Sequence, residues 1–186
     1  IPGTRAFACD ATDAAQVEAA FVRIRAEWAP GGLIYNASTR GFADIDHTTP
    51  EAFEQAWRVS ALGCLLAAQQ IIPDLRQAGR GSIVIIGATA SLKGAAGFVA
   101  FAAAKAAQRS LAQSLARQLG PEGIHVAHVV IDAVVDMPAS RAMLPDRPDA
   151  FFAQPADIAD TVYFLTQQPR SAWTFELDLR PFGEHW

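Results

Sequence analysis

Lys105 is one of only two lysines among the 15 basic residues of the chain. It sits inside Phe101-Ala102-Ala103-Ala104-Lys105-Ala106-Ala107, a stretch of small and apolar residues. A spacing of four is one helical turn, so Phe101 and Lys105 share a face. An ammonium on an Ala-rich face is poorly placed as a solvated charge and better placed to hold the oxygens of a ligand. Polar or small residues recur where apolar runs stop: Asp10 and Ala11 after 5–9, Asn36, Ala37 and Ser38 after 33–35, Ala88 and Thr89 after 83–86, and Asp132 after 126–131. Asp10 can contact a ligand or close a turn. Asp132 alternates onto one strand face with His128, where burial could hold a carboxylic acid neutral; it could equally be a satisfied structural carboxylate. The hydroxyls of Ser60, Thr89 and Ser91 could hold a water or a substrate oxygen, or make ordinary loop hydrogen bonds. His47, His125 and His185 show no metal-ligand spacing, and Cys9 and Cys64 form no disulfide framework.

These positions belong to elements whose boundaries are readable. Asp13 with Gln16 three residues on suggests a capping box, and Val17, Phe21, Ile24 and Trp28 follow at helical spacing opposite Glu18 and Arg25. Thr49-Pro50 reads as an N-cap and first-turn proline. The long helix they open carries Phe53, Trp57, Ala61, Cys64, Ala68 and Ile71 on one face, with Ser60 on that face, and ends near Gly79. Residues 83–86 are continuously apolar, as in a parallel strand covered on both faces. A glycine-punctuated loop leads to a small-residue helix over about 98–119, stopped by Gly120-Pro121. Residues 126–131 read as a buried strand, Pro155 to Phe164 as a helix, and 175–180 as an edge strand before Pro181. Residues 5–9 read as one more short strand. Trp28, Trp57, Trp173 and Phe175 are expected in the core or at an interface. Strands alternating with helices predict a parallel sheet in an α/β/α sandwich, with ligands at the carboxyl ends of its strands.

The 186 residues are 51% apolar and carry a net charge of -4, which fits one domain spanning 1–186. The acidic balance and the lack of basic clusters argue against a nucleic-acid surface. No apolar run approaches the ~20 residues of a membrane-spanning helix, and no signal segment opens the chain. A cytoplasmic protein with two reduced cysteines is expected, making no membrane contact.

Taken in order, the segments resemble the short-chain dehydrogenase/reductase superfamily over the whole chain. Cys9-Asp10-Ala11-Thr12-Asp13 is similar to its Asp-Val-Thr adenine contact, and Tyr35-Asn36-Ala37-Ser38 to its Asn-Asn-Ala-Gly. The run from Gly81 to Ala88 parallels the strand that ends in the catalytic Ser, and Phe101 to Lys105 parallels Tyr-x-x-x-Lys. The resemblance implies a Rossmann-type doubly wound sheet, NAD or NADP as cofactor, and oxidoreduction of a small carbonyl or alcohol. It also implies assembly as a homodimer or homotetramer, and cofactor contacts at Asp10, Ala11, Asn36, Ala37, Ser38 and Lys105. In the family a Tyr gives the proton, a Ser holds the substrate oxygen, a Lys lowers the Tyr pKa and binds the nicotinamide ribose, and an Asn holds a relay water. The matching positions here are Phe101, Ala88, Lys105 and Ser60, and only the lysine is kept. A positioned general acid contributes about 10²–10⁴-fold. Carbonyl reduction is therefore expected to be weak unless Thr89, Ser91 or a water substitutes. The alternative is a non-catalytic dinucleotide-binding or scaffold protein. The family's Gly-rich phosphate loop and first two strands have no counterpart in the sequence, so a segment carrying them is expected upstream of Ile1.

Overall fold

Asp13 Oδ1 accepts the backbone N–H groups of Ala15 and Gln16 and so starts α1 (Ala14–Glu27). Gln16 does not complete a reciprocal box: its Oε1 accepts the Asp10 N–H, and its Nε2 donates to Asp13. The computed structural model describes residues 3–39 and 41–183, so His185 lies outside the described residues. After α1 come β1 (Gly32–Tyr35), α2 (Pro50–Trp57), α3 (Gly63–Ala78), β2 (Gly81–Ile86) and α4 (Val99–Leu119). β3 (Ile124–Ile131), β4 (Val134–Val135), α5 (Pro138–Met143), β5 (Phe152–Ala153), α6 (Pro155–Gln167) and β6 (Glu176–Leu179) complete the chain. Thr49 caps α2 as expected, its Oγ1 accepting the Ala52 N–H.

Strands β1, β2, β3 and β6 form one parallel sheet in that order. Side-chain alternation divides the hydrophobic residues into two cores. Ile83, Ile85, Ile124 and Val126 meet Phe21, Ile71, Leu75, Ala112, Leu115 and Leu119 from α1, α3 and α4. Val84, Ala127, Val129 and Ile131 meet Val162 and Leu165 of α6 on the other face. This is the three-layer Rossmann-type arrangement that the sequence predicts, and every residue of β3 is buried within it.

Residues 5–9 do not form the expected strand. They are mostly exposed, and among the described residues no strand lies beside them to complete a ladder. The apolar pattern suits a strand, but pairing is what makes one. Arg5 instead pairs with Glu27, and Phe7 meets Trp28 edge-on at 6.5 Å, which leaves Trp28 at the surface rather than in the core.

The single helix expected over 50–78 is interrupted by a π turn, Arg58–Leu62. One inserted residue rotates the buried face by about 100°. The residue of α2 that is buried is therefore Ala56, while Phe53 and Trp57 are 42% and 43% exposed. Ser60 within the turn, and Cys64, Ala68 and Ile71 beyond it, are buried, as the spacing predicts.

Candidate active site

Lys105 leaves α4 toward the carboxyl end of β2, where its Nζ donates to the Ile86 carbonyl at 2.8 Å and to Gln108 Oε1 at 3.0 Å. The residue is 3% exposed. Burial lowers its pKa to about 8, the neighbouring Cys64 acting in the opposite sense. Burial also pushes the Cys64 thiol up to about 12, so it stays protonated while Lys105 titrates. Phe101 sits one turn earlier with its ring centroid 6.0 Å from Nζ. Phe42 and Phe98 pack on that ring at 5.4 and 6.3 Å, and a backbone bond from Val99 to Ala43 ties the Phe42 loop to the start of α4.

Of the three candidate hydroxyls, two already have partners. Thr89 Oγ1 donates to Asp132 Oδ1, and Arg180 lies 3.4 Å from the other carboxylate oxygen. Both oxygens of Asp132 thus already have partners, in keeping with its reading as a structural residue. Ser91 is 4% exposed, and its Oγ accepts the Ala88 N–H within its own turn. Ser60 lies in the π turn, fully buried, and its Oγ has no hydrogen-bond partner among the described residues. Ala88 itself presents a methyl group.

The other predicted positions gather at the same end of the sheet. Asp10 Oδ1 accepts both the N–H and the hydroxyl of Thr12, which lowers its carboxyl pKa and closes a turn. That turn abuts the π turn through Arg58, which donates to the Thr12 carbonyl. A Cβ at Gly63 would lie 2.8 Å from the Ala11 carbonyl oxygen, so Ala11 also borders the start of α3. Asn36 and Ser38 are exposed just beyond β1, while Ala37 packs against the core.

His128, on the strand face that the sequence pattern shares with Asp132, has its partner on the neighbouring strand. It is fully buried, and its Nδ1 meets Glu176 Oε2 at 3.0 Å across the β3–β6 ladder, where the two residues are register partners. Arg109 grips both oxygens of that carboxylate at 2.6 and 2.7 Å and lowers its pKa. Burial lowers the His128 pKa against the opposing pull of Glu176. A Cβ at Gly87 would fall 2.3 Å from His128 Nε2, so the imidazole occupies the space that any other residue at 87 would need. His125 bridges the carbonyls of Leu165 and Thr174 and stacks on Trp173 at 4.9 Å. Among the described residues no His, Cys, Asp and Glu group has a metal-binding arrangement.

Three contributors escaped the reading of the sequence. Gln108 bridges Lys105 to the Ser60 carbonyl, Tyr35 donates its hydroxyl to the Val59 carbonyl, and Glu176 links His128 to Arg109. The one available signal was Gln108 itself, a polar side chain three residues after Lys105 on an Ala-rich face. A cavity of about 820 Å³ opens at the opposite end of the sheet, beside Gly32, Gly81 and Gly123. Ligands of such sheets bind at the carboxyl ends, which is where Lys105 stands.

A sequence model of the short chain dehydrogenase family matches residues 3–143. The chain belongs to the short-chain dehydrogenase family. Its curated relatives include the inactive 2-(S)-hydroxypropyl-CoM dehydrogenase 2 of Xanthobacter autotrophicus, 29% identical over 170 residues, or 84% of this chain and 74% of the relative. The short-chain dehydrogenase of Rhodopseudomonas palustris superposes with a TM-score of 0.80 at 35% identity, over 96% of this chain and 74% of that one. An alcohol dehydrogenase from Thermococcus sibiricus, complexed with 5-hydroxy-NADP, shares the fold at a TM-score of 0.82 and 20% identity, over 95% of this chain and 74% of that one. In this short-chain dehydrogenase, among the described residues, no helix is long and apolar enough to cross a membrane.

Proposed function

We propose that this chain binds NAD or NADP across the carboxyl ends of β1, β2 and β3, and acts weakly, if at all, on a small carbonyl or alcohol. Lys105 carries the reading. Its ammonium is buried, fixed by two acceptors, and keeps a third N–H for a ligand oxygen such as a ribose hydroxyl. The backbone and polar groups at 10–11 and 36–38 border the same crevice and suit the rest of a nucleoside. When bound, the dinucleotide supplies or accepts the hydride. The chain must supply a proton to the substrate oxygen, and Phe101 and Ala88 have none to give. The resemblance puts the proton donor and the oxygen-holding hydroxyl at those two positions, so their loss removes the acid and one oxyanion contact together. An inactive dehydrogenase among the relatives fits this reading.

A second reading, an active enzyme with a substitute acid, is favoured by one observation. An ammonium with a pKa of about 8 lies in the range where a general acid works at neutral pH. Thr89 suits that role less well, since its hydroxyl proton goes to Asp132, and Ser91 is buried within its own turn. Assembly as a homodimer or homotetramer belongs to the same proposal, because Phe53 and Trp57 on α2 and Tyr163 and Phe164 on α6 are exposed.

Calorimetric titration of NADH and NADPH tests the assignment. Charge-assisted hydrogen bonds are worth about 1.5–3 kcal/mol, so Lys105→Ala should weaken the preferred dinucleotide about tenfold or more. Unchanged affinity would remove the ribose assignment.

A further inference from the structure

Gln108 is fully buried one turn beyond Lys105 on α4, a place where an apolar side chain would carry no desolvation penalty. Its amide has one workable orientation. Oε1 faces the lysine ammonium at 3.0 Å and Nε2 faces the Ser60 carbonyl at 3.0 Å. Reversed, the amide would set N–H groups against an ammonium and one carbonyl against another. The Ser60 carbonyl belongs to the π turn, whose altered bonding lets backbone groups find partners outside the helix. The neighbouring Val59 carbonyl is likewise taken by an outside donor, Tyr35.

We infer that Gln108 is the positioning residue of this site: anchored on the Ser60 carbonyl, its amide fixes the Lys105 ammonium at the carboxyl end of β2 and sustains the charge there. The functional consequence rests on the reading of Lys105 as a dinucleotide contact; the positioning role does not. The ionisable groups facing Lys105 are Cys64 from α3 and His128 from β3, with Glu176 of β6 and Arg109 of α4 behind the imidazole. The thiol stays protonated, burial keeps the imidazole neutral, and Arg109 neutralises the carboxylate. The Ile86 carbonyl and the Gln108 amide remain as the groups that stabilise the ammonium.

With two lysines in the chain, lysine-selective ¹³C labelling yields two signals, and exposed Lys93 serves as the internal reference. Lys105 should titrate near 8 in the parent. Gln108→Leu removes the acceptor and should lower that midpoint by about half a pH unit or more. Gln108→Glu, nearly isosteric, sets a carboxylate beside the ammonium and should raise it by about one unit. Midpoints unmoved in both variants overturn the inference, and Gln108→Glu decides the matter if Gln108→Leu does not fold. Titrating NADPH into the same samples separates the two readings. Shifted midpoints with unchanged dinucleotide affinity uphold the positioning role and remove the dinucleotide reading; lost affinity with fixed midpoints overturns the positioning role.

Discussion

Lys105 is a residue that folding alone would not retain. Burial lowers its pKa from 10.5 to about 8, so between those values the unfolded chain binds more protons than the folded one. Stability must then rise with pH across that window. The unfolded Cys64 thiol, half ionised at pH 9, works against folding across the upper part of this window, because its folded value lies near 12. Between pH 8 and 9 Lys105 alone would raise the unfolding free energy by about 1 kcal/mol and Cys64 offsets part of it, so we expect urea melts to show a net climb of about 0.5 kcal/mol. Lys105→Met should flatten the climb, and an equally steep climb in that variant would assign it to another group. The types of Lys105, Phe101 and Ala88 were legible in the sequence because order and spacing carry them. What each touches was not. Thr89 and Asp132 meet across two strand ends, and His128 finds Glu176, because sheet register, which no local pattern encodes, decides cross-strand neighbours.

At the scale of elements, the helices and central strands follow from caps and apolar periodicity, while the π turn does not. Its inserted residue leaves the composition unchanged, so the face drawn through Phe53 and Trp57 continues smoothly on paper and is rotated in space. Tyr35 holds the turn by donating to the Val59 carbonyl, and Gly63 leaves room for it, since a Cβ there would lie 2.3 Å from the phenol oxygen. Tyr35→Phe keeps the shape and leaves a part-buried acceptor without its donor, which costs about 0.5–1.5 kcal/mol. Denaturant unfolding of that variant should show a loss in this range, and a loss below about 0.5 kcal/mol would mean that the carbonyl finds another partner. Residues 5–9 illustrate the opposite error, in which a sound local pattern lacks the neighbour that would make it a strand. The short β4 and β5 and the six-residue α5 left no pattern long enough to read.

At the scale of the whole molecule, Trp57 on α2 and Tyr163 and Phe164 on α6 are all more than two-fifths exposed. Light scattering at micromolar concentration should therefore report a dimer or tetramer, and a monomer would contradict the proposed assembly. The molecule as a whole has a dehydrogenase fold with a buried lysine, and Phe101 stands where the resemblance puts the proton donor. Phe101→Tyr returns a hydroxyl one turn from an ammonium that can lower its pKa. Ala88→Ser adds a second contact to the developing oxyanion, of a kind whose removal elsewhere costs about 2.7–4 kcal/mol. The most direct test is NAD(P)H-dependent reduction of small carbonyl compounds by the parent and by the double variant, measured side by side. The double variant should turn over at least about tenfold faster, with each single change giving less. A parent already faster than the double variant would contradict the account, for Phe101 and Ala88 would then belong to a working mechanism of their own.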